Sequence, residues 1–102
     1  MKQQINLHGF QQAFEAHGRR EDFSPSGLRA LFDWLEDYED STGEEIDLDV
    51  IALCCDFSEL TLAAINVDYQ RDYASLDEAA EALQMETTVI AVDDETIILQ
   101  AF

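Results

Sequence analysis

Residues 23–56 read FSPSGLRALFDWLEDYEDSTGEEIDLDVIALCCD, and the architecture turns on how this stretch is divided. Ser24 is placed to cap a helix, Pro25 suits its first position, and Gly43 stands where a left-handed stop belongs. Between them Leu28, Leu31, Phe32 and Leu35 recur at helical spacing and make one apolar face. Trp34 and Tyr38 widen that face on one flank. Asp33, Glu36, Asp37 and Asp40 repeat the same spacing on another side as a stripe of carboxylates. Like charges three and four apart repel by a few tenths of a kcal/mol, roughly, so the stripe does not serve the helix locally. Asp40 also opposes the helix dipole, being an acid near the C-terminal end.

Past Gly43 the acids Glu44, Glu45, Asp47 and Asp49 alternate with Ile46, Leu48 and Val50, which reads as the entry to a strand. From Val50 to Cys55 the chain is continuously apolar, as a strand covered on both faces would be. The expectation is a strand over Asp49–Cys55 at the centre of the sheet.

Upstream, Leu7, Phe10, Ala13 and Phe14 give a first helix with Asn6 as cap and Gly18 as stop, preceded by a short extended segment over Met1–Asn6. Downstream, Asp56–Glu59 reads as a turn, and Leu62, Ile65 and Tyr69 suggest a third helix within Leu60–Tyr69. Ser75 and Glu78 form a capping-box pattern that opens a short fourth helix through Leu76, Ala79, Ala80 and Leu83. The β-branched runs Thr87–Val92 and Thr96–Ala101 flank Asp93, Asp94 and Glu95 and read as a closing hairpin. The predicted fold is one α+β domain over residues 1–102: a three-stranded, mainly antiparallel sheet with about four helices packed on it.

Lys and Arg number 5 against 23 Asp and Glu, a formal net charge of −18. Lys2, Arg19 and Arg20 lie in the first twenty residues, so the acidity belongs to the rest of the chain. A field of that sign repels nucleic acid and anionic membranes and attracts basic proteins. With 47% apolar residues the chain is not read as disordered. The N-terminus MKQQINLHGF lacks the apolar core of a signal peptide, and the expected location is the cytoplasm. Cys54 and Cys55, adjacent in a strand-like run, point to opposite faces and fit reduced thiols.

Chemical sites are weakly signalled. The run Asp40–Asp49 does not match a calcium loop, Cys54 and Cys55 are too close together for paired zinc ligands, and no glycine-rich phosphate loop occurs. No carboxylate pair stands out for acid–base work, and a reactive Cys55 thiolate beside His8 or His17 is opposed by the negative field. The expectation is a non-enzymatic protein with no cofactor and no metal. Its contact residues are Asp33, Glu36, Asp37, Asp40, Glu44, Glu45, Asp47 and Asp49. The stripe on the helix spans about 10 Å, so it can present negative charge at spacings comparable to phosphates along one nucleic-acid strand. The rival expectation is an interaction module with an apolar contact, a homodimer through Trp34 and Tyr38 or through an edge strand.

The block LFDWLEDYEDSTGEEIDLDVIALCCDF, residues 31–57, resembles a run found in small proteins encoded by bacteriophages and prophages, and TTVIAVDDETIILQAF is similar to their C-terminal hairpin. The stretch Leu60–Gln84 matches poorly. The resemblance carries over no site residue. It implies a phage context, in which small acidic proteins include anti-CRISPR and anti-restriction inhibitors of host defence. Together with the charge, it leads to the expectation of a phage accessory protein that binds a basic, nucleic-acid-handling host protein by mimicking nucleic acid.

Overall fold

A computed structural model describes residues 5–101, Arg20 by its backbone only. The extended segment expected over residues 1–6 falls mostly outside that range.

Two of the expected helices form as read. Helix α1 is Leu7–Ala16, and the Asn6 side chain accepts the Gly9 N–H at 2.8 Å. Helix α2 is Pro25–Thr42. The Ser24 hydroxyl accepts the Gly27 N–H at 2.9 Å, and Gly43 ends the helix at φ 73°, a left-handed value that costs a glycine little. A turn of 3-10 helix at Arg20–Asp22 links them.

The strand expected at Asp49–Cys55 is instead a helix, α3, Val50–Asp56. The Asp49 side chain accepts the Ala52 N–H at 3.1 Å and so caps it. Of this apolar run Val50 and Leu53 are buried, whereas Ile51, Ala52 and Cys55 are exposed. A continuous apolar run fits a helix or a buried strand equally well, and the cap together with one-sided burial selects the helix. The acids before it, Glu44 to Asp49, lie in a segment without regular structure rather than in a strand entry.

The first strand, β1, is Phe57–Thr61, over much of what reads as a turn in the sequence. Helices α4 (Leu62–Asp68) and α5 (Leu76–Leu83) follow, bringing the α-helices among the described residues to five. The Ser75 hydroxyl caps α5 at the Glu78 N–H, and the Glu78 carboxylate reaches back to the Ala74 N–H at 2.7 Å. The hairpin closes with β2 (Val89–Ala91) and β3 (Thr96–Gln100), both shorter than their β-branched runs. At its turn Asp93 Oδ1 accepts the N–H groups of Glu95 (2.9 Å) and Thr96 (3.0 Å), which hold its carboxyl below the usual range.

The α+β architecture with a three-stranded antiparallel sheet is thus observed. Its order is β1-β3-β2, so the hairpin's own second strand is central. Residues two apart share a face, so Ile98, Ile90 and Phe57 join a core with Phe10, Phe14, Leu28, Leu31 and Leu53 from α1–α3. Ile97 and Leu99 turn the other way, onto Ile65, Ala79 and Leu83 of α4 and α5. A sheet covered on both faces explains the unbroken Ile97-Ile98-Leu99 run, each residue at most 3% exposed.

Candidate functional site: the acid face of α2 and the groove beside it

Helix α2 is fixed at its start by a residue from β1. In a capping box the third helical residue returns a carboxylate to the cap's N–H, but here that residue is Gly27. Glu59 takes over the role: it accepts the Ser24 N–H at 2.7 Å, the Ser24 hydroxyl at 2.8 Å and the Thr96 hydroxyl at 2.7 Å. A side chain at Gly27 would collide with this carboxylate. One acid thus locks α2 to β1 and β3.

The outward side of α2 carries the carboxylates. Asp33, Asp37 and Asp40 are exposed and Glu36 is half-buried. Glu44, Glu45, Asp47 and Asp49 are exposed in the segment that follows, with Asp49 also serving as the α3 cap. Glu39, which the stripe omits, accepts the Ile46 N–H at 2.8 Å and ties that segment to the helix. The acids divide between two concavities. Glu36, Glu39, Asp40, Glu44 and Glu45 line one of about 360 Å³ at the C-terminal end of α2. Asp33 and Asp37 line a groove of about 480 Å³ between α2 and β2, with Arg29, Ala30, Trp34 and residues 90–92. Asp47 and Asp49 line neither.

Two ion pairs among the described residues lie away from this face. Arg19 pairs with Asp22 at 3.7 Å and Arg71 with Glu86 at 3.2 Å, and neither carboxylate belongs to the acid face. Arg29 lines the groove one helical turn before Asp33. Among the described residues no group of His, Cys, Asp and Glu side chains is gathered to hold a metal ion.

Trp34 and Tyr38 form an aromatic shelf beside the acids. Their rings stack at 5.5 Å, and Trp34 meets Phe57 edge-on at 5.7 Å. Tyr38 is 47% exposed. The sequence signals the acids and this shelf. It gives no signal for the groove, whose other wall comes from residues 90–92, more than fifty positions away in the chain.

The cysteines sit on α3 rather than on opposite faces of a strand. Cys55 is exposed and Cys54 half-buried, and both are free thiols. Desolvation, then a hydrogen bond to Asp22 and the Asp22 charge, push the Cys54 thiol up from 9.0 to about 11. In a timed reaction with a disulfide reagent at pH 8, Cys55 is expected to label within seconds and Cys54 far more slowly. Equal rates would contradict the difference in surroundings. Because the folded value lies above the unfolded one, Cys54 contributes stability that is intact below pH 9 and lost as pH rises through about 11.

No helix among the described residues is long and apolar enough to cross a membrane. No family model, no curated protein and no solved structure matches the chain.

Proposed function

We propose that this chain is a non-enzymatic cytoplasmic binding protein whose acid face occupies the basic, nucleic-acid-handling surface of a partner protein and blocks it by mimicry. The reading extends to a phage or prophage accessory protein of the anti-CRISPR or anti-restriction kind, on the sequence resemblance of residues 31–57 and 87–102 described above. The observation that carries the binding role is the concentration of exposed acids on one helix and its following segment, held in place by caps at both helix ends. Carboxylates carried on a capped helix need no backbone ordering when a partner binds, which lowers part of the entropic cost of association. Attraction between two charged surfaces speeds encounter and weakens with salt.

The combined variant Asp33→Asn, Glu36→Gln, Asp37→Asn, Asp40→Asn tests this. Its stability is expected to stay within about 0.5 kcal/mol of the parent or to rise, because repelling pairs are removed. The immobilised parent should capture a nucleic-acid-binding protein from bacterial lysate, release it between about 0.1 and 0.5 M salt, and be displaced by duplex DNA. The variant should capture at least tenfold less. Capture unchanged by the substitutions, or indifferent to DNA, would overturn the proposal.

A second reading, homodimerisation through an apolar contact, is favoured by the exposed Tyr38 beside Trp34. Sedimentation distinguishes it, since an apolar dimer persists at high salt whereas an acid-face complex dissociates.

A further inference from the structure

Among the described residues β2 is an edge strand, bonded only to β3. The Gln100 N–H donates to the Thr88 carbonyl at 3.0 Å, which fixes the alternation along the ladder. Thr88 and Ile90 direct their backbone groups to β3, and Val89 and Ala91 direct theirs to the open edge. That edge does not face bulk water alone. α2 stands over it, and the groove between them has Ala30, Trp34 and residues 90–92 on its apolar walls, with Asp33 and Asp37 outnumbering Arg29 among its charged lining residues. Its volume, about 480 Å³, is that of a site for a few residues of extended chain.

We infer that this groove takes an extended, basic segment of a partner protein, which adds to the sheet as a fourth strand beside β2. The inference rests on the proposed function in taking the partner to be basic, and it assigns the binding geometry. An added strand meets the outward-directed N–H and C=O groups of Val89 and Ala91. Its residues that point towards α2 alternate with residues that point away, so every second side chain reaches the helix. A lysine or arginine there meets Asp33 or Asp37, and its methylene stem lies on Trp34. Charge separates this occupant from a second copy of the chain. Pairing two β2 edges would bring two molecules of net charge −18 together with their Asp33 and Asp37 carboxylates in adjoining grooves. A cationic strand is attracted by the same groups.

Trp34 is the only tryptophan, so the groove carries its own reporter. The probe is a capped peptide of alternating lysine and valine, titrated against the full chain at low salt while Trp34 emission is followed. Three arms accompany it: the matching glutamate–valine peptide, the Ala91→Pro variant, and the Asp33→Asn, Asp37→Asn variant. Proline at Ala91 removes an outward N–H and no ladder bond, so the fold should tolerate it, and circular dichroism checks that. Saturable binding of the lysine peptide alone is expected, weakened at least tenfold by Ala91→Pro and severalfold by the double Asn variant. Equal affinity of the parent and Ala91→Pro, with loss only in the Asn variant, overturns strand addition and leaves the acid-face reading standing. Binding untouched by the Asn substitutions, or no binding at all, overturns the inference. A parent that sediments as a dimer and Ala91→Pro as a monomer overturns it in favour of a second copy.

Discussion

Replacing Glu59 with alanine is expected to lower the unfolding free energy by about 3 kcal/mol, read as a fall in the urea midpoint at constant slope. The carboxylate receives hydrogen bonds from Ser24 and Thr96, across 35 and 37 residues of sequence. Bonds to a charged acceptor are worth about 1.5–3 kcal/mol each. Their sum overstates the loss, because Ser24 is exposed and water replaces part of what the carboxylate supplies. Gly27→Ala should give a similar loss from the opposite direction, since the added methyl displaces the same carboxylate. Combining the two substitutions should cost less than the sum of the separate effects, because both break one arrangement. A loss under about 1 kcal/mol in Glu59→Ala would show that solvent caps α2 adequately and that the acid is dispensable.

The second large effect separates the two ways of placing the central strand. Ile98→Ala is expected to cost about 3–4 kcal/mol, because Ile98 is fully buried between the sheet and α1–α3 and the surrounding core closes only partly around the lost atoms. Ile51→Ala is expected to cost under about 1 kcal/mol, because Ile51 is 43% exposed on α3. If residues 49–55 formed the middle strand, the two losses would be equal. Measuring both by thermal or urea unfolding therefore tests the helix assignment directly.

The contrast between these isoleucines shows where local pattern ceases to decide. Val50-Ile51-Ala52-Leu53 and Ile97-Ile98-Leu99 are both unbroken apolar runs, and either is long enough for a buried strand. What separates them is what covers them. The later run has helices on both faces, and the earlier one packs only Val50 and Leu53 inward. The spacing Val50, Leu53, Phe57 and the acid at Asp49 are a helical signal, but the alternating acids before them suggest a strand just as strongly. Likewise the glycine at the third position of α2 marks a missing capping partner, yet nothing local identifies Glu59 as its replacement.

The chain's own order of residues determined α1, α2 and α5 with their caps, the closing hairpin with its Asp93 turn, and a row of acids along the outer side of α2. Each of these depends on groups within a few positions of one another, such as a hydroxyl and the N–H three residues on. Only the tertiary structure decided which apolar run became the middle strand, which acid caps α2, and that Asp33 and Asp37 border a groove whose far wall is β2. Those outcomes depend on burial and on contacts between residues some 35 to 60 positions apart, and a segment's local preferences carry no record of what will cover it.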